Sequence, residues 1–429
     1  MYNLRGGFLV RPLIIAVVLG AAGALFSWLE EVFPSISSWV PAAIFPSHAD
    51  PQIAQVILAG IAASMMTVVS IVFAILLMTL TLASMQFSPR IIVSFAKDRV
   101  TQWTLGIFLG TFSYCMAALP AARSMPHPFA PVATVLGAML LALTCVGWLL
   151  FFIHHISQAI SVNHIVDRIA TETEGMIDDI MPWPHRPDRL RQVDEFHPHP
   201  EEVALPARES GYIRFIDTRR LLALAKQYHV RIRVLRRVGH FVPAGIPLVV
   251  VSRGGRLSPE RSDRILSAFD FGPTRTLQQD VEFGVLQIVD IALKAISPAV
   301  NDPSTAISCV DQLSRIMIRF ASRQTPEEFL YDPPGVIRVS VGWIHFARLL
   351  DAAFEQIRMY SKTDLAVSLR LLRALNDIAT STSDPEFRRI LADRGLRTVA
   401  GCAEKLGEEE MREIRARQAM LESRMAILQ

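Results

Sequence analysis

Cysteine is scarce in this chain of 429 residues: Cys115, Cys145, Cys309 and Cys402 lie far apart, with no Cys-x-x-Cys. Two fall in apolar stretches and two in the polar half, so buried reduced thiols are expected rather than a disulfide framework or a zinc site. Net charge is scarce as well, since 43 Lys and Arg against 40 Asp and Glu leave +3 at pH 7. Nucleic-acid binding calls for a strongly basic face, and this balance offers none. Over residues 12–153 charged side chains nearly vanish, and none lies at the centre of an apolar run. Proton coupling and voltage sensing of the usual kind rest on intramembrane charges, so that absence argues against both. Gly-x-Ser-x-Gly, His-Glu-x-x-His, a P-loop and paired catalytic carboxylates are all missing. The chain is therefore not expected to be an enzyme, and no catalytic residue, cofactor or bound metal is assigned to it.

What the sequence does contain is apolar length, with 51% hydrophobic residues. Four apolar runs, near residues 12–29, 51–87, 101–119 and 131–153, read as membrane spans. The first resembles a secretory signal, but three more runs follow it and no small-x-small cleavage site comes directly after. Arg5 and Arg11 precede the first run, and Arg90, Lys97 and Arg99 fill the turn between the second and third. The opposite loops carry only Arg123, so the positive-inside rule puts both termini in the cytoplasm. The fold class expected is an α-helical integral membrane domain of four transmembrane helices with a cytoplasmic α+β domain.

The second run organises the front of the chain. As a helix it would be about 55 Å long against ~30 Å of hydrocarbon, so it spans with an overhang. Thr67, Ser70, Ala74, Thr81, Ser84 and Ser88 fall on one arc of it when successive residues are set 100° apart. Such a small and polar seam has two readings, the lining of a water-filled path and a close-packing face for another helix. Thr67, Ser70, Thr81, Ser84 and Ser88 are the pathway candidates. Gly106 and Gly110 in the third run, and Ala16, Gly20 and Ala24 in the first, are small-residue faces suited to tight helix contact.

Five segments are expected: a four-helix transmembrane domain over residues 1–153, a helical stalk over 154–180, and a Pro-rich linker over 181–209. A small β-rich, barrel-like domain over 210–256 and a mainly helical domain over 257–429 complete the chain. In the stalk Val162, Val166, Ile169, Thr173, Met176 and Ile180 recur every three or four residues. That stripe joins neighbouring subunits or covers the chain's own soluble part. His154, His155 and His164 are expected to be interfacial or capping histidines. The stretch from Gly239 to Val251 looks like the corner of biotinyl and lipoyl barrel domains, but the carrier lysine is missing. Arg253-Gly254-Gly255-Arg256, followed by Arg261 and Arg264, reads as a phosphate or headgroup cradle or as a solvated loop tip. It lacks the Lys-Ser/Thr of a P-loop.

Further on, Asp290 and Lys294 form an i,i+4 pair on a helix that stops at Ser297-Pro298. A second helix restarts at Asn301-Asp302-Pro303-Ser304-Thr305, with Asp302 at the N-cap and Pro303 at N1. Asp290, Asn301, Asp302, Ser304 and Thr305 are the hinge or ligand candidates of this break, the other reading being a capped helix-turn-helix.

The run Ala83-Ser84-Met85-Gln86-Phe87-Ser88-Pro89-Arg90 precedes a second run, Ile296-Ser297-Pro298-Ala299-Val300-Asn301-Asp302-Pro303-Ser304-Thr305-Ala306. In that order the pair resembles a bacterial family of predicted inner-membrane proteins, domain-of-unknown-function family 2254. The resemblance covers nearly the whole chain and implies several N-terminal spans, but no substrate, cofactor or catalytic residue. The residues themselves point to a homo-oligomeric inner-membrane channel or channel-like transporter with a cytoplasmic regulatory domain. Its partners would be the lipid bilayer, further copies of itself and an ion or small solute, with no nucleic acid. The alternative is a membrane-anchored ligand sensor or scaffold without transport.

Overall fold

Long apolar runs free of internal Pro and Gly pairs give four long helices at the front of the computed structural model. The structure describes residues 10–33, 35–36, 50–86, 99–123, 129–159, 161–181, 183–185, 201–252, 257–332 and 335–427. It divides into two compact units, residues 1–164 and 165–429.

In the first unit α1 is Val10–Val32, α2 is Pro51–Gln86, α3 is Arg99–Ala118 and α4 is Val132–Ala159. Each lies in a stretch long and apolar enough to cross a membrane: Val10–Val32, Pro51–Thr79, Arg99–Ala121 and Val132–Gln158. Only α3 is extensively covered by protein, with 50% of its apolar window buried against 17–22% for the others. It is the central helix, and α1, α2 and α4 all pack on it.

Small residues allow that packing, because backbones can approach only where no side chain intervenes. A Cβ at Gly110 would stand 2.4 Å from Leu19 Cδ1, and one at Gly23 would stand 2.5 Å from the Tyr114 carbonyl oxygen. The buried face of α1 therefore runs Ala16, Gly23, Ser27 and Glu30, with Gly20 against Ser113, whereas Ala24 points away from it. Polar groups stitch α3 to α4: Trp148 Nε1 donates to Thr104 Oγ1 at 2.9 Å, and Tyr114 Oη donates to the Thr134 carbonyl at 3.2 Å.

The second unit begins within α5, Val162–Ile180. The fourth apolar helix and the expected stalk are thus two helices, α4 and α5. The α5 stripe, Ile165, Val166, Ile169, Ala170, Thr173, Met176 and Ile177, is buried inside the chain's own soluble unit. Ion pairs hold its flank to α9 (Pro303–Ala321) and to the residues just after it: Arg315 meets Asp167 and Glu174, and Asp178 meets Arg319 and, beyond the helix, Arg323. Residues 183–185 then run beside 322–324, with His185 N–H on the Ser322 carbonyl and Gln324 N–H on the Trp183 carbonyl.

Strands and helices alternate next: β1 Val203–Pro206, β2 Gly211–Ile216, α6 Thr218–Tyr228, β3 Ile232–Val234, β4 Phe241–Val242 and β5 Pro247–Val251. After these come α7 Pro259–Leu266, β6 Phe269–Gly272, α8 Val281–Ala295, then α9, β7 Phe329–Asp332 and β8 Val336–Ser340. Helices α10 Phe346–Tyr360, α11 Leu365–Ser381, α12 Pro385–Cys402 and α13 Glu408–Ile427 close the chain. One sheet has the order β1-β5-β3-β8-β7, antiparallel except for β3 against β8, and a smaller one has the order β4-β2-β6. The larger sheet crosses the boundary expected at residue 256, because β8 inserts beside β3 and buries Val339 against Ile232. Helix starts follow the caps: Asp217, Asp280, Asp302, Asp364 and Asp384 each accept a backbone N–H at the head of a helix. Such a bond satisfies one of the N–H groups that the helix itself leaves unpaired.

Candidate functional site

The seam of α2 is the first candidate. The helix turns Ala54, Leu58, Ala62, Met65, Val72 and Thr79 inward, which leaves Gly60, Ser64, Thr67, Ser70, Ala74 and Thr81 on its exposed side. A Cβ at Gly60 would meet nothing within 4 Å. Every described hydroxyl on this side bonds back one turn: Ser64 to the Gly60 carbonyl, Thr67 to Ala63, Ser70 to Met66 and Thr81 to Leu77, at 2.8–3.1 Å. Such bonds satisfy each O–H proton inside the helix, so the oxygen lone pairs are what the seam has left to offer. From Ser64 to Thr81 it covers about 26 Å at helical rise, close to the thickness of a bilayer core. The Ser84 side chain and all of Ser88 lie outside what the structure describes.

The break between α8 and α9 is the second candidate. Ile296 ends α8, Asn301 takes the left-handed region at φ 49°, and Asp302 N–H returns to the Ala295 carbonyl at 2.8 Å. Asp302 accepts from Thr305 N–H at 3.1 Å and from Thr305 Oγ1 at 2.6 Å. Those bonds to Thr305 hold its carboxyl below the usual range. Asp302 and Thr305 thus come together as a cap, with Ser304 exposed beside them, while Asp290 lies on α8 less than two turns before the break. The turn satisfies its own polar groups, which is the arrangement of a capped helix-turn-helix.

A third constellation takes its acids from the run Gln279-Asp280-Val281-Glu282-Phe283-Gly284, a strong local signal in the sequence, whereas the arginines that meet them gave none. At the start of α8 Arg275 holds Asp280 at 2.7 Å and Glu282 at 3.1 Å, and Arg237 reaches Glu282 at 3.0 Å from the loop after β3. The loop approaches this closely because Gly239 has φ +85° and no Cβ, which would collide with the Asp280 carboxylate. Burial alone would raise the pKa of Glu282, but Arg237 and Arg275 outweigh it and hold the carboxyl low. Beside the network is a cavity of about 30 Å³ lined by Met181, Val281, Phe320 and Trp343, whose indole N–H has no partner. That is room for one or two waters, too little for a metabolite. Helix α5 seats against α8 here, since a Cβ at Gly284 would strike Thr173.

Elsewhere His154 Nε2 lies 3.2 Å from Gln158, and the His155 ring stacks on Phe151. Among the described residues no three His, Cys, Asp or Glu side chains gather as metal ligands. Arg253 to Arg256 lie outside the described residues.

The sequence profile of a family described as "Predicted membrane protein (DUF2254)" matches residues 5–377. "Uncharacterized protein Rv1290c" of Mycobacterium tuberculosis (strain H37Rv) is 33% identical over 363 residues, which is 83% of this chain and 69% of that protein. "Uncharacterized protein Mb1321c" of Mycobacterium bovis matches with the same identity and the same coverage. No solved structure matches.

Proposed function

The chain belongs to the DUF2254 family of predicted membrane proteins, and from that premise we propose that it is a homo-oligomeric inner-membrane channel or channel-like transporter. Both termini and the unit of residues 165–429 lie in the cytoplasm, where that unit regulates the pathway. The observation that carries the reading is the uncovered seam of α2, on which Ser64, Thr67, Ser70 and Thr81 stay exposed on the folded chain. A second copy meeting this side through Gly60, Ala63 and Ala74 would bring the hydroxyl oxygens to a shared axis. With their protons already bonded inside the helix, those oxygens favour a cation or a hydrogen-bond donor. The orientation rests on Arg5, Arg11, Arg90, Lys97 and Arg99 against the single Arg123 on the other side.

The alternative, an anchored sensor or scaffold, uses the same seam as a dry contact between copies. One set of single-cysteine variants separates the two. All four native cysteines are buried, so Ser70→Cys and Thr81→Cys stand out against a low background. A channel predicts cross-linking between copies, modification by a membrane-impermeant thiol reagent, and cation flux from liposomes that the modification blocks. Cross-linking without modification and without flux under tension, voltage or pH steps assigns the scaffold. Absence of cross-linking removes both.

A further inference from the structure

The stretch from Gly239 to Val251 forms β4, a turn and β5, and the fold leaves that turn bare. Phe241 is 54% exposed, Ile246 40% and Leu235 39%, and Pro243, Ala244, Gly245 and Pro247 are exposed with them. These residues form one surface: Leu235 N–H bonds to the Leu248 carbonyl, Gly245 N–H bonds to the Ala207 carbonyl, and Pro206 pairs with Pro247 across β1 and β5. Single exposed apolar side chains are ordinary, but a continuous patch marks a contact. From Val238 to Ser252 no Asp, Glu, Lys or Arg interrupts it. The turn is also dry. Ala244 N–H donates to Ser210 Oγ, Gly245 N–H to the Ala207 carbonyl and Ile246 N–H to the Pro243 carbonyl, at 2.9–3.2 Å. Pro243 and Pro247 have no N–H to satisfy. No backbone donor from Pro243 to Pro247 therefore needs water, which is the condition for entering an apolar phase. A Cβ at Gly245 would meet nothing within 4 Å, so the tip stands clear of the fold.

Positive charge gathers behind the turn. Arg237, Arg275 and Arg348 share the acids Asp280 and Glu282, and a Cβ at Gly239 would strike Asp280. His240, next to Phe241, lies within electrostatic reach of Arg236, Arg237 and Arg348 and of Glu282. Arg236 is exposed beside Leu235 and has no ion-pair partner among the described residues. On the opposite flank Arg208 pairs with Asp263 and Glu209 is exposed, so the surroundings stay net positive. We propose that the turn from Phe241 to Pro247, together with Leu235, dips into the surface of an anionic bilayer, with Arg236 and the arginines behind it facing the lipid phosphates. A protruding tip offers a protein partner no pocket, whereas a bilayer needs only apolar side chains and a basic rim. The four apolar helices tie the chain to a bilayer, so the tip acts at high effective concentration and needs little affinity of its own. This contact is independent of the α2 seam and holds for a channel and for a scaffold alike.

The test places a nitrobenzoxadiazole probe on Phe241→Cys and, separately, on Ile246→Cys in the full chain. The native cysteines are buried, so the label goes to the turn, and an unchanged unfolding temperature in detergent shows that each variant folds. The labelled chains are set in nanodiscs of phosphatidylcholine, with or without phosphatidylglycerol, that contain lipid spin-labelled on the acyl chain close to the headgroup. With phosphatidylglycerol present, both probes should be quenched by the spin-labelled lipid and shielded from aqueous iodide. Arg236→Gln should lower the ratio of inserted to free turn roughly fivefold, the change expected for one basic charge at an anionic surface. Probes that stay open to iodide and unquenched by lipid overturn the proposal. Shielding from iodide without quenching by lipid means that protein, such as a second copy, covers the turn, and overturns it as well. Quenching that neither phosphatidylglycerol nor Arg236→Gln alters overturns the role of the arginines.

Discussion

Glu30, the penultimate acidic residue of α1, caps the head of α4 more than a hundred positions later. Its carboxylate accepts Ala133 N–H at 2.7 Å, Thr134 N–H at 3.0 Å and Thr134 Oγ1 at 2.9 Å, and the side chain is almost wholly buried. A helix end in apolar surroundings leaves N–H groups that nothing else can pair, and an acid is the strongest acceptor available to them. Neighbouring Glu31 pairs with Arg123 from the opposite loop. Glu30→Ala should therefore lower the unfolding free energy of the full chain in detergent by roughly 2–4 kcal/mol, and Glu30→Gln by less. Equal denaturant midpoints for Glu30→Ala and the wild type would contradict this role.

Two glycines of the membrane unit should behave oppositely. At Gly23 an added methyl would press on the Tyr114 backbone at 2.5 Å, whereas at Gly60 it would meet open space. Gly23→Ala should cost about 1–3 kcal/mol through overpacking, while Gly60→Ala should leave the fold of a single chain unchanged. If copies meet on α2, Gly60→Leu should instead reduce the mass of the assembly measured by light scattering. A Gly60→Leu variant that assembles like the wild type would move the contact to another face.

The spans were legible because hydrophobic length is a local property, and so was the cap at Asp302, which acts within three residues. The α1 to α3 contact was partly legible. Gly20, Gly106 and Gly110 stood at the right spacing, but the four-residue repeat suggested Ala24 where the face in fact shifts to Gly23. The mixed step of three and four follows from 3.6 residues per turn. Glu30 on α4 and Arg237 on Glu282 left no trace in the pattern, because partners that far apart are chosen by tertiary packing and carry no periodicity. The sheet shows the same limit, since nothing local says that β8 lies parallel to β3.

At the break between α8 and α9 the cap makes a sharp contrast. Asp302→Ala removes the acceptor of Thr305 N–H and Oγ1 and should destabilise the soluble unit by about 1 kcal/mol, while Asp302→Asn retains most of the cap. Ser304 is exposed one position before Thr305, so Ser304→Ala should stay within about 0.5 kcal/mol of the wild type. Differential scanning calorimetry of the three variants checks the order. A larger loss at Ser304 than at Asp302 would mean that the turn does more than start a helix.

Acid should weaken the soluble unit in two stages, both set near the head of α8. Burial, and then the charge of Arg237, push the pKa of His240 below its ordinary 6.5. The unfolded chain therefore takes up a proton near pH 6.5 that the folded chain still refuses, and stability falls as pH drops from about 7 towards 5. Glu282 behaves as a depressed carboxyl: burial opposes its charge, but Arg237 and Arg275 prevail and hold it below 4.5, with Arg348 3.6 Å away on the open side. Its contribution is complete above the unfolded value and is lost as pH falls through the lower folded one. The expected profile of unfolding temperature rises from about pH 4 to 7. His240→Asn should flatten its upper part, because the replacement has no proton to gain. Glu282→Gln should reduce the slope below about pH 5 and also lower stability at pH 7, since Arg237 and Arg275 lose a shared partner in a poorly solvated place. If His240→Asn keeps the wild-type slope between pH 5 and 7, the proton is taken up elsewhere and the ion network does not set the acid sensitivity.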